Sequence, residues 1–298
     1  MQEKFLITGG AGFIGSRLVN LLSKDNKVIV IDNLTTGDIN YIQMNDNIQF
    51  INGSILDFEI FEKVGCVDGI FHFAAMSKVL PSLENKNMVN FCVEQNIVGT
   101  VNVLKFAGSF EKPIKVIYSA SSTAYGMNPI PNVETQIPDC QTPYALSKYC
   151  GELFCELFYK LYNVPSVRLK YFMVYGPNEP STGSYAIVTG IFLKRKNQGL
   201  PLLIHGDGLQ TRDFVHVDDI CQANILAMKS NLVNETINVG TGEMISIKEL
   251  ADLISPLQEY TQGRKVDLRH TLCDTTKCKE KLNWIPTKKI KEYILSLA

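Results

Sequence analysis

The sequence has no apolar run approaching the ~20 residues that a membrane-spanning helix needs. It also lacks an excess of either charge: 29 Lys and Arg against 30 Asp and Glu leave a formal net charge of −1. No basic run is long enough to track a phosphate backbone, so neither a membrane nor nucleic acid is an expected partner, and any phosphate must be met locally. Closely paired cysteines are missing too. The 8 cysteines are scattered, and the nearest pairs, Cys150 with Cys155 and Cys273 with Cys278, lack the short gap of a zinc site. They read as reduced, mostly buried small side chains, and no metal is expected. A strand-like run begins almost at the first methionine, which leaves no room for a signal or transit segment; a cytoplasmic protein is the expectation.

What the chain does have is apolar material for a full core. At 298 residues and 45% hydrophobic it fits one large domain or two interlocked ones. Strand-like runs at 4–8, 27–32, 48–52, 69–75 and 115–119 alternate with amphipathic stretches, the α/β pattern of a parallel sheet with helices on both faces. These runs are rich in Ile, Val and Phe without strict polar alternation, as suits strands covered on both sides. Two long helices are expected at 88–107 and 144–162, the second opened by Thr142 as N-cap and Pro143 at the first helical position. After a strand at 167–171 the pattern turns irregular, with Gly176, Pro177, Pro180 and Gly183 marking loops. Strand-like runs return near 201–205 and 236–239, and this later half reads as a smaller lobe.

Between the first strand and the first helix stands TGGAGFIG, Thr8 to Gly15. Gly9, Gly12 and Gly15 suit a tight turn, a close backbone approach to a pyrophosphate, and close packing of helix on strand, with the helix N-terminus facing the anion. A glycine triplet alone is weak. Its context narrows it: a strand precedes, a helix follows, and the next strand ends VIVIDN with Asp32 at its tip, at about the separation the dinucleotide fold requires. A carboxylate there accepts hydrogen bonds from the adenosine ribose hydroxyls and repels a 2′-phosphate, so the expected cofactor is NAD and not NADP.

The segment TPYALSKYCGE sets Tyr144 and Lys148 on one helical face. Chance supplies about one such pair in a chain of this length, so the spacing says little by itself. Its place says more, because it opens the helix that follows a strand ending YSASSTAYG. A phenol has a pKa near 10 and is a poor base at neutral pH, but a nearby ammonium and a positive nicotinamide ring both favour phenolate. Lowering that pKa by about three units corresponds to roughly 4 kcal/mol. Tyr144 is then expected to remove a hydroxyl proton while hydride leaves the same carbon for NAD. Lys148 would hold the nicotinamide ribose, and a neighbouring serine would hydrogen-bond the reacting oxygen.

Taken in order, TGGAGFIG, IDNLTTG, FHFAA, NIVGT, SASSTAYG, TPYALSK, KYFMVYGP, GDGLQTRDFVHVDD, NVGTG and DTTKCKEKLNWIP resemble the extended short-chain dehydrogenase/reductases that act on nucleotide sugars, the NAD-dependent epimerase/dehydratases. The resemblance runs from Lys4 to about Pro286. It implies a Rossmann-like, doubly wound NAD-binding domain over 1–170, with segments near 214–240 returning to it, and a nucleotide-sugar-binding lobe over 171–298. A homodimer joined by a four-helix bundle and a UDP-linked substrate are implied as well. Ser121, Tyr144 and Lys148 fall at the catalytic positions. Gly9, Gly12, Phe13, Ile14, Gly15, Asp32, Asn33, Ser54, Ile55, Phe73, Ala74, Ala75, Asn96 and Tyr171 join Tyr144 and Lys148 around NAD. Ser121, Ser122, Thr123, Met173, Leu203, His205, Arg212, Arg264, Asp267 and Thr271 fall at the substrate. The two arginines suit a diphosphate, as planar forks of donors, and Leu203 and His205 stand where backbone groups read the base. Two positions depart from the family pattern: Ser54 replaces an aspartate that contacts adenine, and Met173 replaces an asparagine that meets the substrate, which leaves the sugar pose open.

Dehydratases and uronic-acid decarboxylases of this family carry an acidic residue just after the catalytic hydroxyl. Here the run is Ser121, Ser122, Thr123, without a carboxylate. The expected reaction is therefore 4-epimerisation, in which C4 is oxidised, the keto sugar turns over in the site, and hydride returns to the other face. The resemblance also places Thr271 where hexose-only epimerases have a tyrosine, which implies room for an acetamido group. UDP-glucose/UDP-galactose and UDP-GlcNAc/UDP-GalNAc are thus the expected pairs, together or singly. The alternatives are a 4,6-dehydratase or 4-ketoreductase and, from another class, an inactive NAD-binding scaffold or sensor. His72, His216 and Trp284 are expected to be structural.

Overall fold

Lys4–Thr8 forms the first strand, β1, because its apolar residues are buried on both faces while Lys4 keeps its end at the rim. The computed structural model describes residues 2–77, 82–83, 85–183, 186–263 and 268–297. The strands that follow are β2 (Lys27–Asp32), β3 (Ile48–Asn52), β4 (Gly69–His72), β5 (Val116–Ser121), β6 (Ser166–Tyr171), β7 (Met173–Tyr175), β8 (Leu202–His205), β9 (Thr211–Arg212), β10 (Phe214–His216), β11 (Glu235–Val239), β12 (Ile245–Ser246) and β13 (Gln258–Thr261). Seven of them make one sheet in the order β11-β6-β5-β4-β1-β2-β3. β1 lies parallel to β2 and β4, β2 to β3, and β4 to β5.

The chain thus builds outward from β1 to β3 and then crosses to β4 on the other side of β1. Such a reversal opens a crevice at the carboxyl ends of the two central strands, where doubly wound folds bind ligands. Thr8 pairs with His72 at that end, so Gly9 and Phe73 leave the sheet side by side. Leu6, Ile29, Ile31, Ile70, Val116 and Tyr118 fill the core beneath, with Phe61 stacked on Phe106 at 5.0 Å.

The helices that position the site are α1 (Phe13–Leu22), α2 (Asn87–Val93), α3 (Gly99–Ala107) and α4 (Pro143–Tyr162). Sequence periodicity predicts one helix over 88–107; the structure divides it by a π-helical turn, Glu94–Val98. Such i→i+5 turns gather at functional places.

The chain divides into two compact units. The first comprises Met1–Ser121, Thr142–Lys170 and Cys221–Ile237, and the second Ser122–Gln141, Tyr171–Ile220 and Asn238–Ala298. In the second, β7 pairs with β10, β8 with β13 and β9 with β12, around a core of Tyr175, Phe192, Leu202, Ile204, Phe214 and Leu250. Trp284 is buried there, its Nε1 donating to the Asp219 carbonyl at 3.0 Å, and His216 meets Tyr175 edge-on. The 8 cysteines are all free thiols. Among the described residues no helix is long and apolar enough to cross a membrane.

Candidate active site

The start of α4 is fixed by its sequence. Thr142 Oγ1 accepts the Ala145 N–H at 3.1 Å and Pro143 follows at the first turn, while Asn163 ends the helix in the left-handed conformation at φ 55°. The buried residues of α4 are Ala145, Ser147, Lys148, Gly151, Glu152 and Cys155. A lysine and a glutamate on a buried face are not what packing alone selects. Gly151 permits the close approach to β5, since a Cβ there would stand 2.2 Å from Tyr118 Oη, which donates to the Lys148 carbonyl at 3.0 Å.

That approach brings three expected residues together. Ser121 closes β5 and its hydroxyl is hydrogen-bonded to Tyr144. Lys148 Nζ lies 3.5 Å from Ser119 Oγ and 4.4 Å from the centroid of the Tyr118 ring. Burial pushes the Tyr144 phenol up, and the Ser121 hydrogen bond pulls it back. Burial likewise brings the Lys148 ammonium down to about 8, against the attraction of Glu152. A reactive phenolate therefore depends on positive charge close enough to Tyr144 to outweigh its burial.

The residues around the β1/β4 crevice fit a dinucleotide. Gly9 takes φ 71°, and a Cβ on it would lie 2.5 Å from the Ala74 nitrogen; a Cβ on Gly15 would lie 2.1 Å from the Gly9 carbonyl oxygen. Only glycines let the turn and helix close this tightly. α1 begins at Phe13 with Ile14 behind it, has no capping side chain at Gly12, and has no acid in its first turn, as an anion at its N-terminus requires. Asp32, almost fully buried, accepts from Ala11 N at 2.9 Å and Leu34 N at 2.8 Å, which leaves carboxylate lone pairs for a ribose. Asn33 turns its own loop by accepting from Thr35 N.

Phe73 and Ala74 both donate their N–H groups to the Thr8 carbonyl, with Ala75 following in the same half-buried loop. Ser54 accepts from Leu56 N, while Ile55 points into the core. Asn96 sits in the π turn. Its Oδ1 accepts from Met76 N at 2.7 Å, and its Nδ2 donates to Met76 O at 3.0 Å and to Ser147 Oγ at 2.8 Å, so it ties the loop after β4 to α4 beside Lys148. His72 is buried with Nδ1 2.7 Å from Thr8 Oγ1 and Nε2 2.9 Å from Thr100 Oγ1.

In the second unit, Ser122 and Thr123 open a short 3-10 turn after β5. Tyr171 ends β6 and is buried. Met173 packs its partly buried side chain against the second unit's core. Leu203 and His205 lie on β8, the His205 ring 2.8 Å from Thr261 Oγ1. Arg212 lies on β9, and Thr271 is held beside that strand through its N–H to the Thr211 carbonyl at 3.2 Å. Arg264 and Asp267 lie outside the described residues. Sequence reasoning passed over Ser119, Ser147 and the Glu152–Lys170 pair; only the serine-rich run YSASS hinted at the first.

The profile of the NAD dependent epimerase/dehydratase family matches residues 5–240 of the chain. The chain belongs to this family of NAD-dependent enzymes, and its cofactor is NAD. It is 36% identical to UDP-glucose 4-epimerase of Thermotoga maritima, solved with UDP-glucose, with a TM-score of 0.90 over 98% of this chain and 96% of that one. To UDP-N-acetylglucosamine 4-epimerase of Methanobrevibacter ruminantium, solved with UDP-N-acetylmuramic acid, it is 32% identical with a TM-score of 0.93, again over 98% and 96%. A UDP-glucuronate 4-epimerase of Thermodesulfobacterium geofontis is 32% identical over 97% of this chain and 93% of the relative. These relatives differ in sugar and share a reaction.

Proposed function

We propose that the chain is an NAD-dependent UDP-sugar 4-epimerase. The observation that carries this reading is Ser121 hydrogen-bonded to Tyr144 with Lys148 one turn on, and no carboxylate in the residues after Ser121. Bound NAD supplies an oxidised nicotinamide that takes and returns a hydride. Gly9, Gly12 and the first turn of α1 would hold its pyrophosphate, Asp32 its adenosine ribose, and Lys148 its other ribose. Tyr144 takes the proton of the C4 hydroxyl and later gives it back, and Ser121 holds the C4 oxygen while it carries charge. Elimination would need an acid and a base at C5 and C6, which Ser122 and Thr123 do not provide.

In the second unit Arg212 would grip the diphosphate and Leu203 and His205 the base. The packed position of Met173 favours a contact by shape, since a thioether offers no amide hydrogen bond to the sugar. Thr271 would leave room for an acetamido group. α4 exposes Leu146, Leu153, Leu157 and Leu161 in one stripe, and α2 exposes Val89 and Val93. Such faces support a homodimer through a four-helix bundle, and 8 free thiols fit a reducing compartment such as the cytoplasm.

The test is incubation of the NAD-loaded protein with UDP-glucose and, separately, UDP-N-acetylglucosamine, following the anomeric protons by NMR. The galacto-configured product is expected from one or both. Release of a keto sugar would assign a dehydratase instead, and bound NAD without turnover of any UDP-sugar would make the chain a scaffold. Thr271→Tyr is expected to suppress the acetylated substrate selectively; equal loss on both would remove that gate.

A further inference from the structure

Beyond the groups that meet substrate, the first unit buries a second charged cluster. Glu152 stands one turn along α4 from Lys148, and its Oε1 accepts from Lys170 Nζ of β6 at 2.9 Å, both side chains being almost wholly out of solvent. Arg168, two residues earlier on β6, also attracts Glu152, but its guanidinium is held by Asn234 and Thr236. One carboxylate therefore serves two buried ammonium groups. Packing does not demand this arrangement, since apolar side chains of similar volume in place of a buried ion pair are often neutral or stabilising.

We propose that Glu152 is a positioning residue, a single buried carboxylate divided between Lys148 and Lys170, and that this division fixes how firmly Lys148 keeps its proton. The inference rests on the reading of Lys148 as partner of Tyr144. Lys148 is faced by Glu152 and Cys155 from its own helix, with Tyr144 one turn before it, by His72 from β4, and by Tyr118 and Ser119 from β5. Burial keeps the others uncharged near neutral pH: it lowers His72 to about 3, raises Cys155 to about 12, and raises the phenols of Tyr118 and Tyr144. Burial pushes the Glu152 carboxyl up as well, but Lys170 first and then Arg168 and Lys148 pull it back, and it is the one carboxylate among these groups. Lys170 competes for it from β6, with Nζ 2.9 Å from its Oε1.

The competition gives the test its sign. Lys148 is titrated directly by NMR of 13Cε-labelled lysine in the NAD-loaded protein. Glu152→Gln is expected to lower its midpoint by about one pH unit or more, and Lys170→Met to raise it, because the carboxylate then serves Lys148 alone. The alkaline limb of the pH–turnover profile is expected to move the same way in each variant. A purely structural role would impair both variants alike, so shifts of one sign in both, or none in either, would overturn the proposal. Should a single variant fail to fold around its unpaired charge, Glu152→Gln/Lys170→Met removes the pair together; there Lys148 must titrate lower, and an unchanged midpoint would sink the idea. Opposite shifts with a fixed turnover profile would uphold the shared carboxylate and overturn instead the catalytic reading of Lys148.

Discussion

Lys148 is buried and Lys115 half-buried in the same unit, and burial brings each ammonium down to about 8. Their surroundings are opposite. Lys115 Nζ donates to the carbonyls of Ala227 at 2.7 Å, Met228 at 3.3 Å and Ser230 at 2.7 Å, where the helix Val217–Lys229 ends. A helix C-terminus leaves such carbonyls without partners and favours a cation, so Lys115 completes the fold. Lys148 meets one hydroxyl at 3.5 Å and the face of a ring. A perturbed pKa would point to both lysines as functional. What separates them is the supply of acceptors: Lys115 finds its own within the fold, whereas the role proposed for Lys148 gives its remaining protons to a ribose.

The largest effect that could break this distinction is at Tyr144. Tyr144→Phe removes one hydrogen bond to Ser121 and is expected to fold and keep NAD while turnover falls by about a hundred- to ten-thousand-fold. Single-turnover assays on the folded variant check this, and turnover near wild type would remove Tyr144 from its role. Lys148→Met should lose activity too. Its unfolding midpoint in denaturant is expected to stay level or rise, because Lys170 still pairs with Glu152 and a poorly satisfied charge has gone.

His72 stands close to the site yet on the satisfied side of the comparison, both ring nitrogens being matched by threonine hydroxyls. Burial lowers it to about 3 from 6.5. Below pH 6.5 the unfolded chain therefore binds a proton that the folded one refuses until about pH 3, so stability falls as pH falls through that window. The component is ~4 kcal/mol across the window. Denaturant titrations between pH 7 and 4 are expected to show this slope in the wild type and a shallower one in His72→Gln. A catalytic imidazole would instead leave the slope unchanged and abolish turnover.

The sequence made the frame of this comparison readable and left its details hidden. β1, β2 and β3 were legible to the residue because each is an unbroken apolar run closed by polar or turn-forming residues. β5 runs on through Ala120 and Ser121, whose small side chains carry no strand signal, and so the strand read over 115–119 stopped two residues early. Tyr144, Lys148, Gly9 and Asp32 could be proposed for the site because the residues that support each reading lie nearby in sequence or at a fixed remove. The bond between Glu152 and Lys170 joins two elements that only the fold brings together, and charges in a helix ordinarily read as solvated. Ser122–Gln141 joins the second unit by contacts made late in the chain, such as Tyr125 Oη to Asn238 Oδ1 at 2.6 Å, which no local pattern announces.

Two smaller effects test each side of the comparison alone. Lys115→Met strips the helix end of its donor and is expected to cost about 1–3 kcal/mol of unfolding free energy with turnover unchanged; lost turnover at full stability would overturn its structural role. Asp32 is the intermediate case, satisfied by two backbone N–H groups and still open on its remaining lone pairs. Asp32→Ala loses both functions at once, so absolute NAD affinity would mix local unfolding with lost recognition. The ratio of NAD to NADP affinity in the same variant cancels the structural part, because both ligands meet the same loosened loop. That ratio is expected to fall about tenfold, or ~1.4 kcal/mol, as the repulsion of a 2′-phosphate disappears. An unchanged ratio with weakened binding of both would place Asp32 with Lys115, as a carboxylate that holds the loop and does not read the ribose.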